Sequence, residues 1–447
     1  MDDEVTATRS TGGRVARFLV NRDFARLWYG QAISSVGDFV FDTTLTLWIA
    51  TELLAGSHWA PAAVSGLMLC AFIATMVIGP LAGVFVDRWS LRRTLLRSEV
   101  IRVLVVGTLA LITLLPTKTL PVGVWLALLY AVVLVVNSAG QFFNPARFAT
   151  IGEIVHGEAD RAKAFGLGQA TAATAVILGP PIAAPLLFAL GIKWAMFINC
   201  ASYVVSYVAI RSIHFPASDA TRTDVASAER ASYFGQFADG VKTFARNRFL
   251  IALLSVMVIS SLGTGALTAL MVFFVTDNLH VSAGLLGILW MAYGAGAVSG
   301  SLVSGRLTKL LHARNITWLG LILGGLGIAT LSRQTHFPLA VAVMFLMAIP
   351  VAVMNAGISP QLLAVIPKEF TGRTMAVINP IVTAASMISV IAAGSLASTT
   401  LRTLNIHLLG LHLTRIDAIF LISALLILAA GIYAYFTLPP ITAATEE

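Results

Sequence analysis

Apolar runs of about 20 residues or more dominate the chain, and a run of that length crosses the roughly 30 Å hydrocarbon core of a bilayer as one helix. Twelve of them begin near residues 24, 60, 93, 121, 162, 192, 249, 284, 315, 338, 371 and 416. In hydrocarbon, backbone polar groups must be bonded internally, so such runs fold as helices and not as open sheet. With 57% of its 447 residues hydrophobic and 11% charged, the chain is expected to be an all-α polytopic membrane protein of twelve transmembrane helices. The amino-terminal "MDDEVTATRSTGGRVARFLVNRDF" lacks the pattern of a cleaved signal peptide, so the first span is expected to be retained.

The formal charge of +8 would point to nucleic acid in a soluble protein, but here its position decides. Of the 29 Lys and Arg residues, 24 fall in alternate loops or beside them. This positive-inside bias predicts that both termini and the loop around residues 215–247 are cytoplasmic, in a bacterial-type inner membrane, and nucleic acid is not the implied partner.

The least apolar interior segment divides the chain nearly in half. The expected organisation is a cytoplasmic amino-terminal segment (1–23), a six-helix bundle (24–214), a cytoplasmic linker with an amphipathic helix (215–247), a second six-helix bundle (248–438) and a cytoplasmic tail (439–447). In the linker, Phe234, Phe237, Val241 and Phe244 share one helical face. The halves echo each other. "ISSVG" at 33–37 returns as "ISSLG" at 259–263, an offset of 226 residues, and "NPARFATIGEIV" before the fifth span is echoed by "SPQLLAVIPKEF" before the eleventh. A duplicated six-span unit implies two pseudo-symmetric bundles around a midplane cavity.

The first span carries Gln31, Ser34, Ser35, Asp38 and Asp42 on one helical face. An Asp near a span's centre costs about 2.5 to 3.5 kcal/mol on insertion scales, so that face is not expected to meet lipid. Low dielectric favours the neutral acid and neighbouring carboxylates repel, so at least one of Asp38 and Asp42 is expected to hold a proton near neutral pH. A group that exchanges its proton as access alternates can couple transport to a proton gradient. Alternatively, Asp38 bonds a neighbouring helix or pairs with Arg102, although Glu99, one turn away, is the expected partner of Arg102.

At the same offset, Thr264 stands opposite Asp38 and Thr268 opposite Asp42, so polarity is kept without charge. Further cavity candidates are Asn137 and Gln141 in the fourth span, Asn355 in the tenth and Asn379 in the eleventh, for which helix-to-helix hydrogen bonding is the competing role. Soft and aromatic residues, including Met68, Phe72, Met76, Phe142, Phe273, Trp290, Met291 and Met354, suit an amphipathic small molecule. The cysteines lie singly in separate runs and the histidines are scattered. No metal-spaced set or phosphate-cradling glycine loop is present, so neither a cofactor, a metal nor an enzymatic centre is expected.

The end of the second span and its loop read "GPLAGVFVDRWSLRRTLLRSE". Gly79 and Gly83 allow close helix approach, and Asp87 is set among Arg88, Arg92 and Arg93. This resembles the loop 2-3 signature of the major facilitator superfamily, with Ser90-Leu91 where Gly-Arg is usual. Such departures look like the exporter branch that contains macrolide-efflux proteins and the enterobactin exporter. The resemblance implies the major facilitator fold, a monomer, and a conformational latch formed by Gly79, Gly83, Asp87, Arg88, Arg92 and Arg93 that docks near Glu369 to Arg373. A purely topogenic basic cluster is the alternative. In the fifth span, Gly166, Gly179 and Pro180 resemble the antiporter signature of exporters in this superfamily, with alanines at three glycine positions. The fourth span lacks the arginine that many proton-coupled relatives carry there. The expectation is export of amphipathic small molecules in exchange for protons, with a facilitator or importer on the same fold as the alternative.

Overall fold

The structure is a computed structural model that describes residues 20–86, 89–215, 248–311, 313–365, 371–408 and 411–438. The first six spans are α1 (Arg22–Trp48), α2 (Ala60–Ile73) continued by α3 (Gly79–Val86), α4 (Leu91–Ile112), α5 (Val122–Ile154), α6 (Glu158–Pro185) and α7 (Ile192–Arg211). The second six are α8 (Arg248–Phe273), α9 (Leu286–Leu310), α10 (Ala313–Ser332), α11 (Phe337–Val365), α12 (Thr371–Ser398) and α13 (Arg415–Thr437). A π-helical turn, Ala74–Ile78, joins α2 to α3 within one span. Side-chain caps mark where helices begin: Asn21 Oδ1 accepts the Phe24 N–H at 2.7 Å, and Thr414 with Asp417 forms a reciprocal capping box on α13.

A hairpin of β1 (Asn405–Leu408) and β2 (Leu411–Thr414) is the one departure from an all-helical chain among the described residues, with Ile406 opposite Leu413. It lies between α12 and α13, outside the apolar runs, where strand pairing satisfies the backbone of a long connection. Among the described residues, ten spans are long and apolar enough to cross a membrane by length and composition. The two that fall short are α1 and α4, which carry Asp38, Asp42, Arg97, Glu99 and Arg102.

Helix pairing repeats between the halves. In the first bundle α1 packs on α6 and α7, α4 on α5 and α7, and α2 on α5. In the second, α8 packs on α12 and α13, α10 on α11 and α13, and α9 on α11. The second span of each half meets the fifth span of the other, α2 against α12 and α9 against α6. This is the two-bundle arrangement expected of a duplicated unit.

Small residues set these contacts, because association in lipid depends on close backbone approach. Gly30 lies against Ser206 and Ala209, and Gly37 against Asn199 and Ser202, which brings α7 onto α1. Between bundles, a Cβ on Gly287 would fall 2.5 Å from Pro181 Cα, Gly394 lies against Ser65 and Pro61, and the Ala62 N–H donates to Ser398 Oγ at 3.1 Å. All three contacts lie on the face away from the termini. Toward the terminal face, Gly83, Gly166 and Gly168 meet open space where a Cβ would stand. The bundles are therefore held together at the far face.

Candidate functional site

Between the bundles lies a cavity of about 420 Å³. Its wall includes Asp42 and Thr46 of α1, Met68 and Phe72 of α2, and Thr264 and Thr268 of α8. Asp42 is exposed to this space, and among the described lining residues it alone is charged. Thr264 and Thr268 also border a second cavity of about 160 Å³ inside the second bundle, lined by Trp290, Tyr293, Met347 and Met354. The wall thus combines one acid, hydroxyls and soft or aromatic surface, a composition that accommodates molecules with a polar end and an apolar body.

The polar stripe of α1 has two destinations. Asp42 turns into the cavity, whereas Asp38 turns towards α7. The Tyr203 hydroxyl donates to Asp38 Oδ1 at 2.5 Å, and Asn199 Nδ2 donates to the Tyr203 oxygen at 3.4 Å. Behind them, the Arg102 guanidinium of α4 lies over the rings of Tyr203 and Phe143, at 5.3 and 5.2 Å. It stands 3.9 Å from the Glu99 carboxylate, too far for a hydrogen bond. Gly140 of α5 makes room, since a Cβ there would stand 2.7 Å from Arg102 Nη2.

The chain of contacts continues toward the terminal face. Ser206 Oγ donates to Glu99 Oε1 at 2.7 Å, Gln31 Nε2 donates to Ser206 Oγ at 3.1 Å, and Arg147 Nη1 reaches Gln31 Oε1 at 3.5 Å. Gln31 and Arg147 line a small pocket of about 40 Å³ with Trp28 and Ser35. Glu99 is fully enclosed at 0% exposure and Arg102 is 8% exposed. Glu99 Oε2 and Arg102 Nε have no hydrogen-bond partner. Buried charges in a span are expensive and face protein or a water-filled space, so this cluster makes the interior of the first bundle a candidate site.

Other candidates are more dispersed. Ser34 is buried, and Asn137 donates to the Val133 carbonyl of its own helix at 2.9 Å. Gln141 donates to Thr75 at 3.2 Å and lies against Gly79, tying α5 to the second span. Asn355 and Asn379 are exposed. Gly179 allows α6 to pass close to Phe39 on α1, and Pro180 with Pro181 meets Gly287 of the other bundle, whereas Gly166 faces open space. Arg92 donates to the Arg211 carbonyl at 3.2 Å within the first bundle, and Arg93 is exposed. Asp87, Arg88, Glu369 and the linker helix lie outside the described residues.

Of the aromatic and soft candidates, Phe273 is core, Phe142 stacks on Trp89 at 5.7 Å and Met291 is exposed. The sequence reading passed over Asn199, Tyr203 and Ser206. Their signal was present as polar residues at helical spacing along α7.

The profile of the transmembrane secretion effector family, within the major facilitator superfamily, matches residues 16–446. The chain belongs to this family. It is a multi-pass membrane transporter and not an enzyme. It is 21% identical over 370 residues to the MFS-type transporter YkuC of Bacillus subtilis (strain 168), covering 80% of this chain and 82% of the relative. Macrolide efflux protein A of Streptococcus pyogenes is 21% identical over 368 residues, covering 80% of this chain and 87% of that protein. The fold matches a bacterial homologue of the iron transporter ferroportin in its inward-facing state, with TM-score 0.69, 12% identity, and coverage of 96% of this chain and 100% of that one. A D-xylose-proton symporter matches with TM-score 0.66 at 13% identity, covering 92% and 98%.

Proposed function

We propose that this transporter exports amphipathic small molecules across a bacterial cytoplasmic membrane in exchange for protons. Both termini are on the cytoplasmic side, and the single chain, as a monomer, supplies both walls of the cavity. The observation that carries this reading is the division of α1: Asp42 lies on the cavity wall and Asp38 one turn deeper, bonded to Tyr203. A carboxyl at the cavity can meet a substrate or water, while one held in protein can keep a proton away from bulk solvent. The aromatic and methionine-rich second cavity provides adaptable apolar contact. Efflux is also the activity in the name of the macrolide efflux relative. In this reading the far-face contacts open and the terminal face closes in each cycle, with Asp87, Arg88, Arg92 and Arg93 latching the terminal face and Gly179-Pro180 serving as a packing point between bundles.

The test is drug-susceptibility profiling of an efflux-deficient host that expresses the chain, with ethidium counterflow in proteoliposomes with and without a pH gradient. Protection against amphipathic compounds, and ethidium movement driven by the gradient, are expected for the wild type. Both are expected to be lost in Asp38→Asn. Counterflow that ignores the gradient would assign a facilitator instead.

A further inference from the structure

The buried cluster holds more ionisable groups than the export reading uses. Asp38 from α1, Glu99 and Arg102 from α4, Tyr203 from α7 and Arg147 from α5 all belong to it. Two acids flank Arg102, whereas Arg147, partly exposed at the terminal end of the cluster, is bonded to Gln31 and not to either acid. Arg102 stands beside Glu99 at 3.9 Å without a hydrogen bond, over the ring of Tyr203, whose hydroxyl is bonded to Asp38. Arg102 alone cannot fully compensate an enclosed Glu99 and a half-buried Asp38, so one of the two acids is best neutral while the other is ionised. The pairing distance and the unbonded Glu99 Oε2 leave Arg102 room to change partner.

From Glu99 a separate line of polar groups leads away from the cavity. Ser206 bonds Glu99, Gln31 bonds Ser206, and Gln31 lines the small pocket beside Arg147 on the terminal side. Asp38 therefore stands one helical turn from Asp42 of the cavity wall, and Glu99 is linked through Ser206 and Gln31 to the small pocket toward the terminal face.

We infer that Glu99 is a second proton-exchanging carboxyl that alternates with Asp38 for the single counter-charge of Arg102. When Asp38 takes a proton from the cavity, Arg102 turns to Glu99, which gives up its own proton through Ser206 and Gln31 towards the terminal face. When Asp38 releases its proton to the cavity, Arg102 turns to it and Glu99 takes one proton back from the terminal face through Gln31 and Ser206. One proton enters the buried set as one leaves, its net charge is unchanged, and proton and substrate follow different routes. The inference rests on the export reading for its purpose, but the exchange at Glu99 can be measured without transport.

The experiment is infrared difference spectroscopy of the reconstituted full chain, carrying isotope-labelled glutamate, as pH is stepped. The wild type is expected to show an interior protonated-carboxyl band that moves with the glutamate label. In Asp38→Asn, which mimics the neutral acid, Arg102 is committed to Glu99 and that band is expected to vanish. A wild type with no such band, or a band unchanged by Asp38→Asn, overturns the exchange. The wild-type measurement decides even where a variant fails to fold.

As a second arm, Glu99→Gln is expected to lower gradient-driven ethidium efflux by about 100-fold or more, the usual worth of a positioned proton-transfer group. Glu99→Asp is expected to retain efflux with a displaced pH profile. A structural ion pair would give equal losses and no displacement. If the wild type shows the labelled band but never moves ethidium with protons, the export reading fails and the Glu99 assignment stands.

Discussion

α4 and α7 of the first bundle pack as α10 and α13 do in the second, yet the two interfaces are chemically opposite. The first encloses Glu99, Arg102 and Tyr203, whereas residues 316–332 and 418–436 contain no charged side chain. The second interface closes on small residues instead: Gly325 lies against Leu428, and Gly431 against Ile322. The first helices differ in the same way. Asp38 is bonded across helices to Tyr203, while its counterpart Thr264 donates Oγ1 back to the Ser261 carbonyl of its own helix at 3.4 Å. Duplication has preserved which helices touch, while charge in the middle of this interface is kept in one half; in the second, Asp417 meets Arg333 at 3.5 Å only at the helix ends. In the proposed cycle, a bundle with an apolar interior would stand opposite one whose interior holds the ionisable groups.

The comparison is broken most severely at Arg102. Replacing it with Ala strips the counter-charge from whichever of Glu99 and Asp38 is ionised, and removal of one partner of a buried pair costs about 3–5 kcal/mol. A large fall in the melting temperature of purified protein is expected, and an unchanged one would mean that neither acid is ionised there. In the second bundle, Gly431→Leu would drive a side chain into Ile322 of α10, and overpacking of this kind costs roughly 1–3 kcal/mol. The same thermal assay should show a smaller loss, with gradient coupling intact in the protein that folds. The smallest effect is expected for Thr268→Val, which removes a hydroxyl from the cavity wall. A net change of about 1 kcal/mol or less, a few-fold in ethidium affinity, follows from the usual worth of one hydrogen bond. A complete loss of coupling in that variant would move the proton site into the second bundle.

Much of this was legible in the sequence. Twelve apolar runs, the repeated "ISSVG" and "ISSLG", and the polar stripe of α1 specified two related bundles with Asp42, Thr264 and Thr268 between them. Spacing along α4 also placed Glu99 beside Arg102. What could not be read was the division of the stripe, because Asp38 and Asp42 share a helical face and only the position of α7 separates their surroundings. Gly30 and Gly37 admit α7 against α1, and helical spacing does not say which neighbour fills such a gap. The partnership of Tyr203 with Asp38 joins residues 165 apart in sequence. The hairpin between α12 and α13 was invisible for another reason: hydropathy sorts spans from loops and is silent on how a loop pairs its backbone.

Ethidium-dependent proton movement in proteoliposomes addresses the asymmetry itself. The wild type and a Thr264→Val, Thr268→Val double variant are expected to move protons as ethidium is added, and Asp38→Asn is expected to move none. Proton movement that survives in Asp38→Asn, or that disappears only when the two threonines are replaced, would contradict a coupling site confined to the first bundle.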